Sequence, residues 1–123
     1  MSRFIVEGGS SLCGKLRVDG SKNAVLPILA ATILNGRKNM IKNYPKLKDV
    51  DIMLNILRRI GCSVKIEGDA ITVDSSNVNS TVIPEELASE MRSSIIFMGP
   101  MLAKFGKVTI SYPGGCAIVL ALL

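Results

Sequence analysis

The cysteine nearest the end of the chain, Cys116, follows a Pro-Gly-Gly turn that comes directly after a predicted strand. Between residues 107 and 112 apolar and polar side chains alternate, as in a half-buried strand, and Pro113 ends the pattern because it lacks a backbone donor. The two glycines allow a sharp turn, which places the thiol at a loop tip. A loop tip gives a thiol access to a ligand, whereas a free cysteine used for packing is usually buried. Two interpretations remain open, a reactive Cys116 and a packed or incidental thiol.

The chemistry available to Cys116 is limited by what the sequence lacks. The chain contains no histidine, so its own residues cannot supply a Cys-His catalytic pair. An unperturbed thiol, with a pKa of about 8.5, is mostly protonated at neutral pH and can donate a proton. Proton donation is therefore the favoured role. Attack on an electrophilic inhibitor or intermediate, or no role at all, are the alternatives.

A second candidate site lies where a glycine turn leads into a predicted helix. Ser21 follows Gly20 in the N-cap position, and Lys22 and Asn23 open the helix. Free backbone N–H groups, the positive end of the helix dipole and the ammonium of Lys22 would converge there, which predicts a site for a small anion. The same residues also fit an ordinary capped helix with an exposed lysine.

Arg92 is a third candidate, in the first turn of an apolar helix predicted from residue 90 to residue 104. A cation at that end opposes the helix dipole, so Arg92 is expected either to hold an anionic partner or to be solvated. Its forked donors suit phosphate or carboxylate. Spacing does not choose between the two.

Composition places these residues in a globular chain of single-domain size. Of 123 residues, 48% are hydrophobic and 20% charged, and the net charge is +5. Aromatic residues make up only 4%, which argues against stacking platforms for nucleic acid. The three cysteines, Cys13, Cys62 and Cys116, are widely spaced, which argues against disulfides or a zinc site. No signal peptide and no membrane-spanning stretch are visible, so a cytoplasmic protein without a metal or membrane partner is expected.

Periodicity predicts an α/β (α+β) fold in which the helices pack on one side of a sheet. The most consistent element is a helix over residues 48–60, whose apolar face predicts core positions and whose end is marked by Gly61. Cys62, at the start of the next strand, is expected to be buried and inert. Strands are predicted at 4–6, 15–18, 39–43, 62–67, 70–74 and 107–112, with a hairpin turn at Gly68-Asp69. Helices are predicted at 22–34, at 48–60, from 84, and at 90–104, the last with a kink at Gly99-Pro100 and a cap at Gly106.

Four stretches together resemble the N-terminal part of the UDP-N-acetylglucosamine 1-carboxyvinyltransferases, which are enolpyruvyl transferases. They are Gly-Ser-Lys-Asn-Ala at 20–24, Pro-Lys-Leu-Lys-Asp-Val-Asp at 45–51, Met-Arg-Ser-Ser at 91–94 and Pro-Gly-Gly-Cys at 113–116. The resemblance runs from residue 4 to residue 118. It implies repeated βαβαββ units arranged as an inside-out barrel, here incomplete. Residues 1–19 would belong to an otherwise missing second domain, and residues 20–123 to a truncated first substrate-binding domain.

The resemblance also implies a reaction and the residues that serve it. An enolpyruvyl group would pass from phosphoenolpyruvate to the 3-hydroxyl of UDP-N-acetylglucosamine, with release of phosphate and no cofactor, as the first committed step of peptidoglycan synthesis. Lys22 and Asn23 would contact phosphoenolpyruvate, and Arg92 the nucleotide sugar. Cys116 would protonate the methylene carbon and would be the thiol alkylated by fosfomycin.

The end of the chain departs from the family pattern. Val119 stands where the family has a glycine, and Ala121 where it has an arginine that helps to hold the substrates. This departure predicts a frameshifted or truncated copy that is inactive by itself. Two rival interpretations remain: a non-catalytic remnant or partial nucleotide-sugar binding module, and the related shikimate 3-phosphate enolpyruvyl transferase, against which the Pro-Gly-Gly-Cys stretch argues.

Overall fold

The structure of the chain, a computed structural model, describes residues 2–111 and the backbone of residues 118–122. Cys116 and the Pro-Gly-Gly turn before it lie outside the described residues. The elements in chain order are α1 Lys22–Ala31, β1 Lys38–Lys42, α2 Lys48–Arg59, β2 Ser63–Glu67, β3 Ala70–Asp74, α3 Glu85–Glu90, a 3-10 helix Arg92–Phe97, α4 Met98–Phe105, β4 Lys107–Ser111 and β5 Ile118–Leu122.

Three of the strands form an antiparallel sheet in the order β1-β3-β2. The β2–β3 hairpin turns at Gly68 and Asp69, with Glu67 opposite Ala70, and Gly68 adopts the left-handed conformation at φ 61°. The predicted hairpin is therefore confirmed. Ile71 and Val73 on β3 are completely buried and face the helices, so the helices cover one side of this sheet, as predicted.

Helix α2 supplies the centre of the core. The predicted apolar face is confirmed, because its five positions are all at most 1% exposed. The helix ends where Gly61, at φ 113°, donates its N–H to the Arg58 carbonyl, and the N–H of Cys62 returns to the Leu57 carbonyl. The five core positions are Val50, Met53, Leu54, Leu57 and Ile60.

Helix α1 begins where predicted and ends three residues earlier than expected. Its last helical residue is Ala31, and a series of turns leads to Gly36 at φ 61°. The hydroxyl of Thr32 donates to the Leu29 carbonyl at 2.6 Å and satisfies one acceptor at this end. Pro27 lies inside this helix.

The two predicted strands near the N-terminus, 4–6 and 15–18, are wrong for this chain. The described backbone from residue 2 to residue 20 contains no strand or helix. Phe4, Val6 and Leu16 are 97%, 88% and 91% exposed. A strand requires a neighbouring strand to pair with its backbone, and no other described segment pairs with this one. The alternation of apolar and polar residues is present, but no described strand lies beside this segment to pair with its backbone.

The predicted continuous helix over residues 90–104 is also wrong. Met91 is extended at φ −150° and ψ 123°, and separates α3 from the 3-10 helix. Gly99 and Pro100 do not kink a helix, because α4 starts at Met98 and Pro100 falls in its first turn, where its missing N–H costs nothing. The predicted cap at Gly106 is confirmed, with φ 75°.

A second sheet begins beyond α4. β4 pairs antiparallel with β5, with Ser111 opposite Ile118, and a parallel bridge joins Thr109 to Val82. Strand β5 is an element that the sequence reasoning did not predict. Val108 and Ile110 of β4 are buried and extend the core from the first sheet. Within the described part of the chain, no helix combines the length and apolar character that crossing a bilayer requires.

Candidate functional site

The predicted anion site lies at the start of α1. Ser21 is extended at φ −82° and ψ 133°, and its carbonyl accepts the N–H groups of Ala24 at 3.2 Å and Val25 at 3.0 Å. Its hydroxyl makes no capping hydrogen bond. The N-cap position is therefore confirmed, but the side chain leaves the first N–H groups of the helix open to another acceptor. Lys22 and Asn23 are both exposed there.

The ammonium of Lys22 is paired with the carboxylate of Asp49. The Nζ–Oδ2 distance is 2.5 Å, and the two side chains are 51% and 26% exposed. Asp49 is the second residue of α2, so this contact joins the N-terminal ends of the two helices. Sequence reasoning included Asp49 only as part of the Pro-Lys-Leu-Lys-Asp-Val-Asp stretch at 45–51. Helical periodicity describes each helix separately and contains no signal for a contact between them.

A close backbone contact at Gly20 sets the distance between these two helix ends. A Cβ at residue 20 would lie 2.1 Å from the carbonyl oxygen of Asn43 and 3.1 Å from Cδ of Pro45. Asn43 adopts φ 56°, a left-handed conformation that asparagine tolerates better than most residues. Its N–H donates to the Asp69 carbonyl at 3.0 Å. Glycine is therefore needed for the approach of the α1 turn to the segment that leads into α2.

Arg92 is the first residue of the 3-10 helix and is exposed. The 3-10 helix packs against α1, so the elements that carry Lys22 and Arg92 are in contact. Arg92 forms no salt bridge within residues 2–111. Its guanidinium is thus accessible to solvent, on an element that packs against the helix of Lys22. Both interpretations of Arg92, as the holder of an anionic partner and as a solvated cation, stay open.

A cleft of about 480 Å³ opens beside the segment that connects β1 to α2. Its wall carries the cations Arg17 and Lys46 and the carboxylates of Asp19 and Asp69. The charges are balanced, so the cleft shows no preference for an anion. Neither Lys22, Asn23 nor Arg92 lines it; all three lie on open surface.

The remaining predicted site residue, Cys116, is outside the described residues, and its role stays a prediction. The strands on either side are described: β4 ends at Ser111 and β5 begins at Ile118, paired antiparallel. The other two thiols differ sharply. Cys13 is exposed, and Cys62 is 6% exposed. Burial, with a smaller contribution from the charge of Asp74, raises the pKa of Cys62 to about 11, and the predicted burial of this thiol is confirmed.

The described residues contain no group of three or more His, Cys, Asp or Glu side chains that could hold a metal ion. The carboxylate of Asp74 has a pKa below its ordinary value, chiefly because the hydroxyl and the N–H of Ser76 both donate to it. Asp74 and Ser76 lie at the end of β3 on the hairpin sheet, away from the helix ends that meet at Lys22. Their hydrogen bonds stabilise the turn that follows this strand.

The fold of the chain is similar to part of a solved structure. The crystal structure of the enolpyruvyl transferase NikO from Streptomyces tendae superposes with a TM-score of 0.71 at 24% identity, over 85% of this chain and 24% of NikO. The sequence pattern of the family described as EPSP synthase (3-phosphoshikimate 1-carboxyvinyltransferase) matches residues 6–119. The chain therefore belongs to the EPSP synthase family.

Relatives with known names refine the comparison. The chain is 47% identical over 119 residues to the UDP-N-acetylglucosamine 1-carboxyvinyltransferase of Cellvibrio japonicus. It is 50% identical over 118 residues to UDP-N-acetylglucosamine 1-carboxyvinyltransferase 2 of Caldanaerobacter subterraneus subsp. tengcongensis. Each match covers 96% of this chain and 28% of the relative. The resemblance noted in the four stretches is confirmed, and the chain spans little more than a quarter of the length of these relatives.

Proposed function

We propose that the whole protein to which this chain corresponds transfers an enolpyruvyl group from phosphoenolpyruvate to the 3-hydroxyl of UDP-N-acetylglucosamine. The observation that carries the proposal is the 47–50% identity to two transferases of that name across 96% of the chain. The reaction would release phosphate and would supply peptidoglycan synthesis. Because both substrates are charged metabolites of the cell interior, we assign it to the cytoplasm.

Lys22 and Asn23 would bind the phosphate of phosphoenolpyruvate. The uncapped N–H groups at the start of α1 supply donors, and the helix dipole adds partial positive charge. Asp49 holds the ammonium of Lys22 at this helix end in the structure. An incoming phosphate would add a second negative neighbour to the same ammonium.

Arg92 would bind the nucleotide sugar, whose diphosphate matches its forked donors. Its exposure and the contact of its helix with α1 support this assignment. Cys116 would give its thiol proton to the methylene carbon of phosphoenolpyruvate while the sugar hydroxyl adds to the neighbouring carbon. The same thiol would be the one that fosfomycin alkylates.

The chain by itself is expected to lack this activity. Residues 1–19 would belong to a second domain and residues 20–123 to a first one, and the exposed apolar side chains of the N-terminal segment support that division. A remnant that only binds part of the nucleotide sugar is the alternative for the isolated chain. The name of the matched family favours a second candidate acceptor, shikimate 3-phosphate.

A chimera tests the reaction. Residues 1–118 of this chain would be joined to the rest of the Cellvibrio japonicus relative, and phosphate release from phosphoenolpyruvate would be measured with each acceptor. We expect release with UDP-N-acetylglucosamine and none with shikimate 3-phosphate. Cys116→Ala should lower kcat by about 100-fold or more, as expected for loss of a general acid, whereas Cys13→Ala should leave it unchanged. A folded chimera with no phosphate release would overturn the proposal.

The same chimera tests the anion site. Lys22→Ala should raise the KM for phosphoenolpyruvate by roughly tenfold or more, because one charge-assisted contact to the phosphate is lost. Lys65→Ala, on the exposed face of the hairpin sheet, is the matched control and should leave the KM as it was. An unchanged KM for phosphoenolpyruvate in both variants would show that Lys22 does not contribute to phosphate binding.

A further inference from the structure

The ammonium of Lys22 lies at the end of α1 that is unfavourable for positive charge. Lys22 is the first residue of the helix, where the aligned peptide dipoles place partial positive charge. Its side chain is 51% exposed, and a lysine side chain in water samples many rotamers. An ammonium that receives a phosphate at a defined point of this helix end therefore needs a neighbour that holds it.

The neighbour that holds this ammonium is the carboxylate of Asp49. Of the lysines and arginines within residues 2–111, Lys22 alone forms a salt bridge, with its Nζ 2.5 Å from Oδ2 of Asp49. The side chain of Asp49 is only 26% exposed, so solvent screens this contact less than it screens a fully exposed pair. An ammonium has three N–H donors, and one contact with Asp49 leaves donors for a phosphate.

The backbone that carries Asp49 is held by the helix with the most extensive buried face. Asp49 lies in the first turn of α2, where the dipole of that helix favours a negative charge. The carbonyl of Leu47 accepts the N–H of Val50 at 3.1 Å and the N–H of Asp51 at 3.3 Å, which closes the turn around Asp49. Val50 is 1% exposed and anchors the turn in the core. The carboxylate is therefore attached to a rigid element.

The position of Asp49 relative to Lys22 is set by packing between the two helix starts. Helices α1 and α2 are in direct contact. Gly20, just before α1, lies so close to the segment leading into α2 that a Cβ on it would come within 2.1 Å of the Asn43 carbonyl oxygen. The distance between the two charged side chains is therefore a property of the folded core and not of a flexible surface.

We propose that Asp49 is a positioning residue for phosphoenolpyruvate, whose carboxylate holds the ammonium of Lys22 at the start of α1 where the phosphate binds. Asp49 acts through Lys22 and does not touch the substrate. When the phosphate arrives, it finds one cation already placed beside the free N–H groups of the helix. This inference rests on the phosphate site of the proposed function, and it adds to that site a residue that supports the binding cation.

Charge alone and positioning predict opposite effects when Asp49 is neutralised. A carboxylate near a bound phosphate repels it, so the loss of one negative charge would by itself strengthen the binding of phosphoenolpyruvate. Loss of the contact with Lys22 weakens binding, because the phosphate must then order a mobile side chain that the helix dipole repels. The repulsion acts across the intervening ammonium and is screened by solvent, whereas the hold on Lys22 is a direct contact. We therefore expect the positioning effect to be the larger.

The test measures the KM of each substrate in the chimera of residues 1–118 with the rest of the Cellvibrio japonicus relative. Asp49→Asn, which keeps the shape of the side chain, should raise the KM for phosphoenolpyruvate about threefold to tenfold and leave the KM for UDP-N-acetylglucosamine unchanged. Asp49→Glu keeps the charge and should restore most of the affinity. Asp51→Asn is the matched control and should not raise either KM, because Asp51 lies in the same turn of α2 but is exposed and pairs with no cation of residues 2–111.

Two further measurements isolate the ion pair from other effects of the substitution. In a Lys22→Ala chimera, Asp49→Asn should change the KM for phosphoenolpyruvate by less than about twofold, because no ammonium is left to hold. In the 123-residue chain, a water-soluble carbodiimide should join Nζ of Lys22 to the carboxyl carbon of Asp49 as an amide and leave as the urea. Mass spectrometry of the digested chain should find this link in the parent and in Asp51→Asn but not in Asp49→Asn.

The outcomes distinguish this inference from the proposed function. A KM for phosphoenolpyruvate that falls or stays unchanged in Asp49→Asn, while the parent chimera turns over, would overturn the inference and leave the function standing. Equal rises of that KM in Asp49→Asn and Asp51→Asn, or the absence of the Lys22–Asp49 cross-link, would do the same. A folded parent chimera that releases no phosphate would overturn both. If circular dichroism shows that Asp49→Asn does not fold, Asp49→Ser takes its place in each measurement.

Discussion

Replacing Gly20 by alanine tests whether the close approach of the α1 turn to the segment before α2 builds the candidate site. The new Cβ would lie 2.1 Å from the Asn43 carbonyl oxygen, more than 1 Å inside an ordinary contact of 3.4 Å. The obstacle is backbone and not the end of a flexible side chain, so the helix turn and the β1–α2 connection must move apart. Overpacking of this kind costs about 1–3 kcal/mol. At about 4 °C per kcal/mol for a domain of this size, Tm should fall by roughly 4 to 12 °C.

The assay is thermal unfolding followed by circular dichroism, with amide exchange of the first turn of α1 as a second measurement. Gly99→Ala is the matched control, because no heavy atom lies within 4 Å of its new Cβ and Gly99 is in a helix. It should keep or raise Tm, since alanine is the better helix former. We also expect faster exchange at Ala24 and Val25 in Gly20→Ala alone, because their N–H groups donate to the Ser21 carbonyl, which must move with the turn. A Tm for Gly20→Ala within about 1 °C of the parent would refute the reasoning, because it would mean that the contact is relieved without cost.

Three further predictions concern the core and the hairpin sheet. Leu57→Ala should lower the free energy of unfolding by about 2–5 kcal/mol in urea titrations, because Leu57 is completely buried, and a loss below about 1 kcal/mol would contradict its core role. In the folded chain at pH 8, iodoacetamide should modify Cys13 and spare Cys62. The unfolded Cys62 thiol ionises near its ordinary pKa of 9.0 and the folded one near 11, so the free energy of unfolding should fall as pH rises from 9 to 11. A Cys62→Val variant should lack that part of the decline. Gly61→Ala should destabilise more than Gly68→Ala, because both glycines have positive φ but only at Gly61 would a Cβ meet backbone, 2.6 Å from the Asn77 oxygen; equal Tm values would show that φ alone matters.

Elements with strong local signals were predicted well from the sequence. Helix α2, with acids in its first turn, arginines in its last and a glycine after it, has the predicted start and ends within one residue of the predicted end. The β2–β3 hairpin has the predicted two-residue turn. In both cases the determining interactions are between residues close together in sequence, so a short stretch contains all the information.

Predictions failed where the outcome depends on distant residues. The alternation at 15–18 predicts a strand, but strand formation needs a partner, and the described chain provides none. The predicted helix over residues 90–104 divides at Met91 because burial of Met91 and Phe97 in the shared core outweighs local helix preference. For the candidate site, the sequence indicated Lys22 and Asn23 at a helix start, and this placement is confirmed; their ligand and the role of Cys116 stay predictions.

The sequence alone determined the family, the position of the α1 N-terminus and the unreactive character expected of Cys62, because motif order, capping residues and hydrophobic period are local properties of the chain. Only the tertiary structure decided that Asp49 meets Lys22, that Gly20 must lack a side chain, and that no strand of the described residues pairs with the outer edge of β1. These features join residues far apart in sequence, and their distances depend on how the helices and the sheet pack around one core. A linear pattern states which residues can form an element, and packing determines which elements meet.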